Sequence, residues 1–245
     1  MQFKKHILVV ISIACCLAGC RSISVNKSEM HTATTTPVAL GVIGIHENQL
    51  LHTDFQVTAI PQFKKGIRVH TSLVDFSKST FTSYMSVSAD NKQQMTYIDS
   101  LETKPQFLRI ELIDWVSAIS ELTQDYNQQT LTYIERQSDA EMISAISMAV
   151  KKEVLDEINA AEAIFLSNNQ YKQYELSLIK NGQTYKTINF GDCTIFGYQL
   201  SYFCWGENDK KRVELFDIVD EKDSCPKNTY KKAEKAKSKI DYLKL

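Results

Sequence analysis

The chain has 245 residues, of which 43% are hydrophobic and 23% charged, with a formal charge of −1. These are the proportions of an ordinary globular protein, and eight Gly and four Pro do not make a low-complexity chain. The slightly acidic balance argues against a general nucleic-acid binder, which carries a basic excess.

Lys4 and Lys5 open the chain as a short basic segment beside His6. An apolar run from Ile7 to Gly19 follows and gives way to Arg21. Its length suits the roughly 7–15-residue hydrophobic region of an export signal. It falls short of the about 20 apolar residues that cross a bilayer. The junction Leu17-Ala18-Gly19-Cys20 resembles the lipobox of bacterial lipoproteins, an aliphatic residue, two small ones and then Cys. The resemblance implies diacylglycerol transfer to the Cys20 sulfur and cleavage between Gly19 and Cys20. Residues 1–19 are then a signal peptide, and loss of Lys4 and Lys5 takes the charge to −3. The two or three acyl chains of such a protein hold it to a membrane effectively permanently. The implied partner is therefore a lipid bilayer, reached through Cys20. In many Gram-negative bacteria an Asp after the acylated Cys retains the protein in the inner membrane. Arg21 stands there instead, and the resemblance implies the outer membrane with the domain facing the periplasm.

Residues 21–36 are polar, rich in Ser and Thr, and without a period. They predict a flexible tether, so that 20–37 link the anchor to a globular region over 38–245. Within that region 38–113 reads as β-rich. Phe55 to Ile60 alternates as a half-buried strand does, Pro61 stops it, and Lys65-Gly66 marks a turn into a second strand over Ile67–Val74. Met95–Ile98 and Phe107–Leu112 are further strand candidates. Residues 114–245 read as mixed. Trp115, Ile119 and Leu122 recur at helical spacing after an Asp114 cap, and a short helix is expected over Asn127–Arg136. Periodicity alone leaves Met142–Val150 open between strand and helix. We read a strand to about Ala149, a helix over Lys151–Asn159 and a strand over Ala163–Leu166.

Asn181-Gly182 lies between two alternating runs, Tyr174–Ile179 and Tyr185–Phe190. This pair supplies the positive φ angles of a type I′ turn and predicts a β-hairpin. Strands are expected over Ile195–Trp205 and Val213–Val219, and a closing helix over 228–245 capped by Asn228 or Thr229. The fold class is α+β: mostly antiparallel strands and hairpins with a few helices, one of them C-terminal.

Cys193, Cys204 and Cys225 remain once the signal is removed and Cys20 is acylated, and export places them where disulfides persist. Cys193 and Cys204 share one extended segment. At about 3.3 Å per residue they would stand roughly 35 Å apart, far beyond the roughly 4.4–6.8 Å that a disulfide spans. Cys204 and Cys225 flank a turn and a short strand, and are the expected pair. Cys193 reads as a small buried hydrophobe.

No residue pattern points to catalysis. Gly-x-Ser-x-Gly, a Cys with a neighbouring His, and a Gly-rich phosphate loop are all missing from the sequence. His46, His52 and Asp54 are too loosely spaced for a zinc motif, so no metal or other cofactor is expected. Tyr198, Tyr202 and Trp205 could line a platform for carbohydrate or peptide, although aromatic strands more often fill a core. The lysines from Lys227 to Lys244 read as a solvated helix face. The sequence therefore predicts an anchored envelope protein that binds an unknown protein or glycan or plays a structural part. A lipid-anchored hydrolase of envelope polymers is the alternative.

Overall fold

The structure is a computed structural model and describes residues 22–33, 38–48, 53–87, 95–100, 102, 104–169 and 171–240. The described strands are β1 (Ser22–Val25), β2 (Ser28–Thr32), β3 (Ile43–Asn48), β4 (Thr53–Ala59), β5 (Ile67–Asp75), β6 (Gln106–Leu112), β7 (Ala140–Ala149), β8 (Ala163–Asn168), β9 (Tyr174–Lys180), β10 (Gln183–Asn189), β11 (Thr194–Glu207) and β12 (Val213–Asp220). The described helices are α1 (Lys78–Ser86), α2 (Trp115–Leu122), α3 (Gln128–Arg136), α4 (Lys152–Asn159) and α5 (Ala233–Lys237). The fold is α+β.

All ladders are antiparallel, in the order β1-β2-β11-β7-β6-β5-β8-β9-β10. The long strand β11 pairs β7 along one edge. Its other edge is shared by β2 at Gly197–Tyr198 and by β12 from Ser201 onward. Strand β7 is shared in the same way, pairing β3 through Ala140–Met142 and β6 through Ala145–Met148.

Alternation along β6 places Leu108, Ile110 and Leu112 on one face and Phe107, Arg109 and Glu111 on the other. The first face carries the main core, covered by Ala118 and Leu122 of α2, Ile134 of α3, Ala233 and Ala236 of α5, and the segment Val38–Val42. The second carries a smaller core, in which Phe107, Ala145, Ala149 and Phe196 meet Phe76, Tyr84, Ile23, Val25 and Met30. Four rings, Phe76, Tyr84, Phe107 and Phe196, lie with centroids 4.8–6.0 Å apart, within the range of favourable edge and offset contacts.

Several expectations meet the structure closely. Asn181 and Gly182 have φ of 51° and 72° and join β9 to β10. The ambiguous run over 142–150 is strand as far as Ala149, within β7, which is buried along almost its whole length because strands pair on both sides and cores lie on both faces. Asp114 caps α2, its carboxylate accepting from the Ser117 amide at 3.0 Å. Buried Glu121 accepts through Oε2 from the Lys64 amide at 2.6 Å and the Tyr126 hydroxyl at 2.8 Å, binding the 61–65 segment to α2.

Others are corrected. The tether expected over 20–37 is largely folded, because β1 and β2 form a hairpin whose apolar residues Ile23, Val25 and Met30 complete the smaller core. Asn26 and Lys27 turn it with φ of 48° and 67°, and Asn26 donates to the Ser72 hydroxyl on β5 at 3.3 Å. Met95–Ile98 is irregular and not a strand. Helix α1 arises in Lys78–Ser86, where sequence gave no helical period. It is started by a capping box between Ser77 and Thr80 and held by buried Tyr84. The last helix begins only at Ala233. Tyr230 and Trp205 exchange backbone hydrogen bonds of 2.8 Å, so the expected first turn is drawn into a β-bridge. Residues 241–245 lie outside the described residues.

Candidate functional site

The three rings expected as a ligand platform are buried and do not share one open face. Tyr202 and Trp205 are three positions apart, which strict alternation puts on opposite faces, and register shifts between Gln199 and Leu200 and between Cys204 and Trp205 disturb that alternation further. Tyr198 sits in the main core against Phe55, with centroids 5.8 Å apart. The Tyr202 hydroxyl donates to the Asp223 carbonyl, and the Lys231 ammonium lies 3.2 Å from its ring centroid. Trp205 belongs to the main core. Packing, not an exposed platform, is the role these positions have here.

Cys204 and Cys225 form a disulfide with Cα atoms 5.6 Å apart. It fixes the segment after β12 to β11. Cys193 is a buried free thiol, and its pKa is pushed up to about 12, first by burial and then by the Asp192 carboxylate. A thiol held protonated is a poor nucleophile.

Around Tyr198 the structure assembles polar groups that the sequence separates widely. His31 on β2 stacks on the Tyr198 ring at 5.4 Å and meets the His46 ring of β3 at 4.8 Å. His31 Nε2 lies 2.9 Å from Glu221 Oε2. His46 Nε2 lies 3.3 Å from the Tyr198 hydroxyl, and its Nδ1 lies 3.6 Å from Glu141 Oε2. Each imidazole therefore has its own carboxylate. The Glu221 carboxyl is held below its usual range, chiefly by the His31 hydrogen bond and against the effect of burial. Among the described residues no three His, Cys, Asp or Glu are grouped to hold a metal ion. His52 lies outside the described residues, as do Cys20 and the side chain of Asp54.

On the other face of the sheet lies a polar cleft of about 290 Å³. Arg109 and Glu111 of β6 line it, with Ser144, Gln199, Asp220 and Trp115. The guanidinium donates to Glu111 through one terminal nitrogen and to Gln199 Oε1 at 3.1 Å through the other. A larger and mainly apolar cleft of about 560 Å³ lies between Val42, Val57, Ile60, Tyr171 and Phe190.

Sequence reasoning missed both polar groups. The signal available for the cleft was Phe107-Leu108-Arg109-Ile110-Glu111-Leu112, which places Arg and Glu on one side of a strand whose apolar residues serve the other. Nothing local marked His31 and His46, which meet only because β2 and β3 flank the β7–β11 ladder. Comparison of the chain with protein-family models, curated proteins and solved structures finds no match.

Proposed function

We propose that the chain is a lipid-anchored protein of a bacterial cell envelope, attached through Cys20 to the outer membrane and facing the periplasm, with a binding or structural role. The observation that carries this reading is the Cys204–Cys225 disulfide, because such bonds persist in oxidising, exported compartments. It agrees with the export signal and lipobox at the opposite end of the chain, which were read on independent grounds. Among the described residues no helix is long and apolar enough to cross a membrane; the proposed attachment is through the lipid on Cys20. Strand β1 begins at Ser22. Only Arg21 then separates the anchor from the sheet, and two residues span at most about 7 Å. The domain is thus held against the bilayer and not on a long leash.

Membrane fractionation with a Cys20→Ala variant tests this. The wild-type chain is expected in the membrane fraction, released by detergent but not by salt, and the variant is expected to lose acylation and signal cleavage together. A wild-type chain recovered in the soluble fraction contradicts the reading.

One observation favours a hydrolytic role as a second reading. Two carboxylates, Glu111 and Asp220, line the same polar cleft, and paired acids are the machinery of glycoside cleavage. Turnover of peptidoglycan fragments, lost in Glu111→Gln, would support it.

A further inference from the structure

We propose that the cleft beside Arg109 binds one ring of a neutral or amino-bearing saccharide. This rests on the binding role proposed above and gives it a ligand class.

The cleft is built across three strands. Arg109 of β6 lies opposite Ser147 of β7, which lies opposite Gly197 of β11. The next row is Glu111, Ala145 and Gln199. Small residues in the middle strand leave a depression, and the β1–β2 hairpin closes one end of it. The Ser147 hydroxyl donates to the Met30 sulfur at 3.2 Å, and a Cβ on Gly197 would stand 3.0 Å from the Ile23 side chain. Arg109 is consequently 8% exposed.

A buried guanidinium is costly unless its donors are matched. Its terminal nitrogens are engaged by Glu111 and Gln199, yet Nε is buried with no partner. Among the described residues it is the one buried side-chain donor left so. A core position that needed only stability would be filled by an apolar residue. Arg109 and both of its engaged partners, Glu111 and Gln199, line the cleft, so a charge is kept where a ligand would meet its hydrogen-bonded groups.

The remaining groups define that ligand. Arg109 donates and Glu111 and Asp220 accept, the Gln199 amide keeps its NH2 donors while its oxygen holds Arg109, and the Ser144 oxygen accepts, its proton being given to the Gln199 carbonyl at 3.3 Å. A sugar hydroxyl is donor and acceptor at once, so adjacent hydroxyls match such an alternation. Trp115, which packs against the main core, also lines the cleft, and an aromatic side chain there is suited to the C–H face of a ring. A volume of about 290 Å³ sits at the small end of ligand pockets and suits a single ring. One guanidinium against two carboxylates leaves the cleft net negative. Uronates and phosphosugars are therefore disfavoured, and an ammonium is tolerated.

The test is fluorescence titration of the full chain in detergent micelles. The chain has two tryptophans, so a Trp205→Phe variant leaves Trp115 as the only indole. Glucose and glucosamine are expected to give a saturable change in its emission and glucuronate none. Gln199→Leu should weaken both responses at least tenfold, and Asp220→Asn should weaken glucosamine alone while admitting glucuronate. If Trp205→Phe does not fold, calorimetric titration of the wild-type chain with the same three sugars replaces fluorescence. The absence of saturable binding, an equal response to glucuronate, or binding unaffected by Gln199→Leu overturns the proposal. Acyl mass measured on the same sample reports the anchor separately, so failure of the sugar site and failure of the envelope reading are distinguishable.

Discussion

His31 Nε2 stands 2.9 Å from Glu221 Oε2, joining the N-terminal hairpin to the segment that follows β12 and leads to the disulfide. The contact spans 190 positions of sequence and, among the described residues, is one of two side-chain contacts that close the chain onto itself there. Lys222 and Glu29 make the other at 2.7 Å.

The Glu221 carboxyl is lowered below 4.5, first by this hydrogen bond. A depressed carboxyl contributes stability above its unfolded pKa, and that contribution is lost as pH falls through the folded value. Stability should therefore decline as the pH drops below 4.5. The effect of this one group is small, because the Glu221 side chain is 45% exposed and solvent screens it. Urea midpoints followed into acid should fall less steeply in Glu221→Gln than in wild type. Identical slopes in the two proteins would remove the assignment.

The disulfide closes a loop of 21 positions. On the loop-entropy estimate it contributes about 3 kcal/mol. Cys225→Ser, or reduction of the native protein, should lower stability by that order, read from denaturant midpoints under oxidising and reducing conditions. Equal midpoints would mean that the bond is not formed.

Met30 is fully buried beneath the hairpin. Met30→Ala should cost about 2–5 kcal/mol, as large-to-small changes in a packed core do. A flexible tether would lose nothing at this position, so thermal unfolding of this one variant separates a folded hairpin from a tether.

Cys193 should not react with thiol reagents in the native protein, since its pKa is pushed up to about 12 and the thiol is buried. Counting labelled cysteines by mass should give none in the native protein, one after unfolding and three after unfolding with reduction. Labelling of native Cys193 would contradict the packing described around it.

Much of the sheet was legible because its strands carry local signals. Asn181-Gly182 specifies its turn by chemistry, and Phe55–Ala59 and Phe107–Leu112 alternate cleanly. The hairpin β1–β2 was not legible, because its turn is Asn26-Lys27 without glycine and its strands are short and rich in Ser. Only three apolar residues, Ile23, Val25 and Met30, reveal it, and their partners are Phe107 and Phe196 far along the chain. Helix α1 was hidden for a similar reason. Its Ser and Thr residues are poor helix formers, and tertiary burial of Tyr84 decides the outcome. The cleft inherits the same blindness. Arg109 reads as a polar strand residue until the hairpin is known to cover it.

The proposed anchor and oxidising compartment both hang on the chemical state of Cys20. Mass spectrometry of the native protein measures it directly, together with its thiols. The predicted product begins at Cys20, carries acyl mass, and has Cys204 joined to Cys225. A product that begins at Met1, or at an unacylated Cys20 with all three remaining thiols free, would contradict both the anchor and the oxidising compartment.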